Sequence, residues 1–321
     1  VRTEKSGIAI WLLLAGLLFA ATQVDAGSEG AAPPELGDVA WLRSYDEAAA
    51  KSASENKPIF LLFQEVPGCQ TCVNFGASVL SHPLLIEAIE DEFVPLAILN
   101  NKGGADRKTL ERFGEPAWNN PVVRFVDAKG DDLVPRKDRV WQPSEIASRM
   151  VTSLERANRP VPNYLAELRA ELDPSRIESA TLAMGCYWKG EACLGNVPGL
   201  LSTKTADHQG REVVEVRFDP ARTSYAELLA HSARNGCADA VFAHNDTQLA
   251  LARVIYGNNA HRAVGPSSTA TPRNQKYHLK RQGKFAHLDL TPAQATRLNA
   301  AAWQSKDPTK HLSPRQQAKL K

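Results

Sequence analysis

Five cysteines stand in this chain of 321 residues: Cys69 and Cys72 with two residues between them, Cys186 followed by Cys193, and Cys237 alone. Two thiols at C-x-x-C spacing can exchange a disulfide, hold half of a metal site, or staple a turn. A zinc site needs about four ligands, and neither a second C-x-x-C nor a close histidine pair follows, so no metal is expected. A C-x-x-C ring is small and removes little entropy from the unfolded chain, which leaves redox exchange as the stronger reading. Cys69 is the attacking thiol in that reading and Cys72 its resolver. Pro121 opens an apolar run after "WNN", where a cis peptide bond would hold a substrate's backbone beside the thiols.

A second group is "GCYWKGEA", residues 185–192. A cysteine at a strand-to-helix turn meets free backbone N–H groups that favour a thiolate. Tyr187 and Trp188 supply an apolar wall suited to a methyl group. The plain alternative is a buried core thiol beside core aromatics. Glu212 opens the run "EVVEV", where an acid interrupts an otherwise apolar strand pattern; the plain reading is an exposed strand-edge glutamate. A continuous helix puts Cys193 about 10 Å beyond Cys186 at 1.5 Å per residue, too far for a bond between them, and Cys193 reads as core. Cys237, after a glycine at a helix end, is the better resolving thiol.

The elements that must position these groups follow from pattern. "SYDEAAAKSASENK" has helical character, "PIFLLF" and "VPLAIL" are buried strands, and the helical run between them breaks at His82-Pro83. A helix, then a strand, a Lys-Gly turn and a second strand over "PVVRFVDAKGDDLVP", and a helix capped by Ser144 complete a mixed sheet covered by helices. Prolines mark a boundary near residues 158–178. Beyond it come a short strand, the Cys186 turn and its helix, the strand "REVVEVRF", the helix "SYAELLAHSARNG", the strand "LARVIYG" and a polar C-terminal third.

Two resemblances sharpen this reading. The element order, Cys69-Gln-Thr-Cys72 and Asn120-Pro121-Val122 resemble the thioredoxin fold. "VPGCQTC", "LSHPLL", "NNKGG" and "GEPAWNNPVVR" look like bacterial thioredoxin-like proteins in which selenocysteine can replace the first cysteine, which implies that Cys69 is the reacting atom. "GCYWKGEA", "VPGLLSTKT", "REVVEVRFDPARTSYAELL", "NDTQ" and "VIYG" resemble peptide methionine sulfoxide reductase A. That resemblance implies peptide-methionine (S)-S-oxide reduction, with Cys186 as nucleophile, Tyr187 and Trp188 as the methyl pocket, Glu212 as the acid and Asp246 as a further substrate contact. The loop before Glu212 is short in this chain, and Leu249 stands where a tyrosine hydroxyl is expected.

The expected fold class is α/β and α+β: a thioredoxin-like mixed sheet, then a ferredoxin-type α+β reductase domain. The expected boundaries are a signal peptide at 1–26, a flexible leader at 27–39, the thioredoxin-like domain at 40–157, a linker at 158–177, and the reductase-like domain at 178–321 with a basic, solvated tail. Arg2 and Lys5, the apolar run "GIAIWLLLAGLLFAA" and "VDA" form an export signal, and no later segment is long and apolar enough to span a bilayer. The near-neutral charge of +2 excludes a broad nucleic-acid surface. No flavin or nicotinamide fingerprint is present, so no cofactor is expected and electrons come from an external thiol donor. The expected function is an exported thiol-disulfide oxidoreductase that reduces methionine sulfoxide in oxidised protein or peptide, with the thioredoxin-like domain recycling the catalytic cysteine of its own chain through the tether. Its competitors are a thiol peroxidase or disulfide reductase working through Cys69, and a binding module without catalysis.

Overall fold

Ser44 accepts a hydrogen bond from the Glu47 amide and starts helix α1 (Tyr45–Glu55). Strand β1 (Ile59–Gln64) follows Lys57-Pro58 and is buried along its whole length. Helices α2 (Gln70–Ser78) and α3 (Pro83–Glu92) separate at His82-Pro83 as the sequence predicts, and β2 (Val94–Leu99) runs parallel to β1 with Ile59 opposite Val94 and Gln64 opposite Leu99. Helix α4 (Ala105–Phe113), strand β3 (Val122–Val126), antiparallel to β1, and helix α5 (Pro143–Arg156) complete this half, with sheet order β2-β1-β3. Phe60 packs edge-on against Phe93 and Phe125 on one face of the sheet. Tyr45, Leu61, Phe63 and Ile98 fill the other.

The computed structural model describes Val1 and residues 33–321. The expected signal segment therefore lies outside the described residues, as does the first part of the leader. The rest of that leader is ordered. Pro34–Leu36 form a turn of 3-10 helix packed on α2, where a Cβ on Gly76 would fall 1.8 Å from the Pro34 carbonyl oxygen. Two further expectations need correction. The second hairpin strand is reduced to one bridge, Val126 to Asp132, because side chains hold the segment instead of a ladder: Arg124 pairs with Asp132, and Arg136 with Glu115. Helix α5 starts at Pro143 with Gln142 at its cap, which places Ser144 inside the first turn.

Helix α6 (Asn163–Glu171) bridges to the second half, which runs β4 (Glu178–Ala183), α7 (Tyr187–Leu194), β5 (Leu200–His208), β6 (Arg211–Phe218), α8 (Tyr225–Arg234), β7 (Ala240–Ala243), α9 (Asp246–Tyr256), β8 (Ala260–Arg262), β9 (Ser268–Thr269), α10 (Tyr277–Lys280), α11 (Pro292–Gln304) and α12 (Pro314–Ala318). The six strands are ordered β8-β7-β4-β6-β5-β9, antiparallel except for β7 and β8. Ser224 and Glu227 close a capping box on α8. The expected strand "LARVIYG" is instead the end of α9, because Asn245 accepts from the Gln248 amide at 2.9 Å and launches a helix through it. The basic tail is solvated at Lys319 and Lys321 but anchored before them, where Ser313 and Gln316 are buried and cap α12 reciprocally.

Gly76→Ala tests the packing of the leader. An alanine ordinarily stabilises a helix interior by about 0.5–1 kcal/mol over glycine. Here the added methyl overlaps the Pro34 carbonyl, and overpacking of about 1–3 kcal/mol outweighs that gain. A lowered melting midpoint for the N-terminal half is expected; a raised one would show that the segment does not sit on α2.

Candidate active sites

Cys69 occupies the N-cap of α2 with an extended backbone, φ −72° and ψ 171°. Its sulfur is 3.6 Å from that of Cys72. The Cys72 backbone amide is the main reason the Cys69 pKa falls below the ordinary thiol value; burial opposes it, and the Cys72 thiol and Thr71 assist. Cys72 is buried, and that burial pushes its pKa up to about 11, with the neighbouring Cys69 adding to the rise. The asymmetry is that of an exposed attacking thiolate and a resolver that keeps its proton.

Around the pair, the Cys72 thiol donates to Asn120 Oδ1 at 2.9 Å, and the Asn120–Pro121 bond is cis. The Val66–Pro67 bond is cis as well, which sequence reading did not anticipate. Gly68 fits because a Cβ there would stand 2.3 Å from the Glu65 carbonyl oxygen and 2.7 Å from Cys72 Cβ. Its amide donates to the buried Glu35 carboxylate at 2.7 Å. Glu35 lies in the segment read as leader; the apolar Leu36 and Val39 on either side of Gly37 and Asp38 were the available signal of packing.

In the second half, β4 delivers Cys186 to the N-cap of α7, where it is exposed. Strand β6 brings Glu212 beside it: the Tyr187 amide donates to Glu212 Oε2 at 2.7 Å, so the carboxylate occupies the free N–H end of α7. Cys186, Tyr187, Trp188 and Glu212 line one cavity of about 490 Å³. Burial, followed by the charge of Glu212, raises the Tyr187 pKa.

The other wall of this cavity was missed. Arg273, Asn274 and Tyr277 come from the polar C-terminal third. Tyr277 stacks on Trp188 with ring centres 4.1 Å apart and planes 9° from parallel, and Asn274 Nδ2 donates to the Tyr187 hydroxyl at 2.8 Å. This wall is pinned from beneath. The fully buried Glu191 carboxylate accepts from Lys276 Nζ at 2.8 Å, from the Lys276 amide at 2.9 Å and from Thr203 Oγ1 at 3.1 Å. No periodic pattern marks the segment, since its one helix is four residues long.

Three sequence assignments land elsewhere. Cys193 and Cys237 are joined in a disulfide, so Cys193 is more than a core thiol and Cys237 is not a free resolving thiol in this state. Asp246 starts α9, is 94% exposed, pairs with Arg262 and does not line the cavity. Cys186 and Cys237 do meet, across a separate cavity of about 370 Å³ that Lys189 and Gly236 also line.

Fold and sites together define a thiol-dependent oxidoreductase with a thioredoxin-like N-terminal half. Residues 40–128 match the family described as thioredoxin-like. The peptide methionine sulfoxide reductase MsrA of Geobacter sulfurreducens is 30% identical over 139 residues, which span 36% of this chain and 78% of the relative. The corresponding protein of Nitrobacter winogradskyi is 39% identical over 67 residues, 16% of this chain and 36% of the relative. The chain belongs to the peptide methionine sulfoxide reductase MsrA family. Among solved structures, methionine sulfoxide reductase A of Corynebacterium diphtheriae aligns at 17% identity and a TM-score of 0.31 over 38% of this chain and 86% of that one. Mxr1 from Saccharomyces cerevisiae in an unusual oxidised form aligns at 21% identity and 0.26 over 37% and 91%.

The Cys69 environment makes a pH-dependent prediction. Alkylation of reduced protein should rise with pH through a midpoint below the ordinary thiol value of about 8.5, while Cys72 stays unlabelled until close to its own pKa of about 11. Because the backbone amide of residue 72 is the largest contributor and survives the substitution, Cys72→Ala should leave the Cys69 pKa still below the ordinary thiol value. An ordinary midpoint in both proteins would show that α2 does not activate the thiol.

Proposed function

We propose that the protein reduces methionine sulfoxide in oxidised polypeptides at Cys186, and that an external thiol donor supplies the electrons. The observation that carries the reading is the single cavity joining Cys186, the Tyr187 and Trp188 wall, and Glu212. The Cys186 thiolate attacks the sulfoxide sulfur while Glu212 protonates the sulfoxide oxygen; the S–S bond so formed breaks as that hydroxyl passes to Cys186 Sγ and the thioether leaves. The sulfur is reduced to a thioether, and Cys186 is oxidised by two electrons to a sulfenic acid. The aromatic wall takes the methyl group, and Asn274 fixes the Tyr187 hydroxyl at the cavity edge.

The remaining cysteines recycle the site. In the reduced protein the Cys237 thiol condenses with the Cys186 sulfenic acid, forming a disulfide and releasing water. Cys193 then loses its proton and attacks Cys237, and Cys186 leaves as a thiolate. The product is a Cys193–Cys237 disulfide beside a free Cys186, the state this structure holds. Residues 69 and 72 return electrons to the reductase half. The expected export signal, together with a disulfide that persists where thiols are not kept reduced, supports placing this chemistry outside the cytoplasm.

Steady-state assay of methionine (S)-sulfoxide reduction with dithiothreitol tests the assignment. Cys186→Ser should abolish turnover, and Glu212→Gln should lower kcat by about 10²–10⁴, the usual worth of a positioned general acid. Cys69→Ser should leave the dithiothreitol-driven rate unchanged. Turnover that survives Cys186→Ser, or that is lost with Cys69→Ser, would move the sulfoxide chemistry to the other pair.

A further inference from the structure

Each redox centre lies at the end of its own sheet farthest from the joint between the two halves, which form one compact unit. Helix α6 makes that joint. Tyr164, Leu165 and Leu168 are part of the N-terminal core, while Glu167 on the same helix faces Arg297 at 3.6 Å and His311 at 2.8 Å. Arg315 adds a second clasp to Glu90 and to Asp91.

Strand register places this joint. Glu90 and Asp91 end α3, which leads into Val94, and Val94 pairs with Ile59; Cys69 follows Gln64 at the opposite edge. On the other side, the Arg297 guanidinium binds the carbonyls of Gly195, Val197 and Leu200. Leu200 pairs with Phe218 and Phe218 with Glu178, whereas Cys186 follows Ala183 at the far edge. Six-residue strands are about 20 Å long, so each sulfur stands roughly that far from the joint. The cavities agree: those at Cys186 take every lining residue from the C-terminal half, and the groove beside α2, lined by Thr71, Phe75 and Trp141, takes every one from the N-terminal half.

We infer that Cys69 and Cys72 reduce the reductase half of a second copy of this chain and not their own. The inference rests on the reading of Cys186 given above. Both reacting surfaces are open for it. Cys69 and Cys186 are exposed, and Trp118, 82% exposed in the loop before Asn120, offers an aromatic anchor beside the attacking thiol. A second copy is the partner because every chain carries donor and acceptor together, so the acceptor is always present at the donor's own concentration. The Cys193 and Cys237 sulfurs belong to residues only 7% and 1% exposed, so entry is through Cys186: the free Cys186 thiolate first reverses the exchange, attacking Cys237 Sγ while Cys193 leaves as a thiolate that takes up a proton, and the Cys186–Cys237 bond meets the second copy. The Cys69 thiolate of one copy attacks Cys186 Sγ of the other, forming a mixed disulfide, and Cys237 leaves as a thiolate that takes up a proton. Cys72 then loses its proton and attacks Cys69 Sγ, closing the Cys69–Cys72 disulfide and releasing Cys186 as a thiolate. Two electrons pass between chains.

The test uses full-length chain, reduced and freed of reductant, then given methionine sulfoxide. Acid quenching and alkylation follow the Cys69–Cys72 disulfide, and methionine is measured in the same samples. Over a roughly hundredfold range of protein concentration, the initial half-time of that disulfide should shorten in proportion. Mixing Cys186→Ser chains with Cys69→Ser/Cys72→Ser chains should restore its formation. A half-time independent of concentration would overturn the inference, as would methionine formation with Cys69–Cys72 left reduced at every concentration. Absence of methionine from wild type would overturn the reading beneath it, and the inference with it.

Discussion

A cysteine at the cap of a helix faces backbone N–H groups that its own helix cannot satisfy, and both centres of this protein are built on that fact. Cys69 and Cys186 each follow a central strand and precede a helix, with extended backbone at the cap. The two sites use the free N–H groups differently. At α2 they serve the sulfur itself, and the thiol pKa falls. At α7 the Tyr187 amide is given to Glu212, so the helix start positions an acid next to the thiol. The first arrangement suits thiol–disulfide exchange, where only a thiolate is required; the second suits removal of an oxygen, where a proton must arrive as the sulfur is attacked.

The surroundings hold these caps in place. Gly68 allows the chain to pass Cys72, and the Glu35 carboxylate takes the Gly68 amide, so a segment more than thirty residues upstream closes the first site. In the second, Glu191 and Lys276 form a buried ion pair one helical turn below Cys186. Its value is positional: Lys276 carries Asn274 and Tyr277 with it, and those two complete the cavity around Tyr187 and Trp188.

What the sequence revealed was mostly local. The strand runs, the break at His82-Pro83, the helix "SYAELLAHSARNG" and the two cysteine turns are short-range patterns, and Pro121 carried its cis bond in its position before an apolar strand. The far walls of both sites were not legible, because Glu35 and Arg273 to Tyr277 reach their sites through tertiary packing and lie in polar, aperiodic stretches. The Cys193–Cys237 bond was hidden for a similar reason: 44 positions separate the two residues, and only the packing of α7 against the loop after α8 brings them together. "LARVIYG" was misread because its apolar residues fit a strand until the Asn245 cap is seen to start a helix before it.

The account turns on where oxidation comes to rest after the sulfoxide is reduced. The most direct measurement is peptide mapping of the disulfides in a fully reduced Cys69→Ser/Cys72→Ser chain after a single turnover with methionine sulfoxide. The account predicts Cys193 linked to Cys237 and a free Cys186 thiol. Oxidation left on Cys186, with Cys193 and Cys237 still reduced, would contradict it.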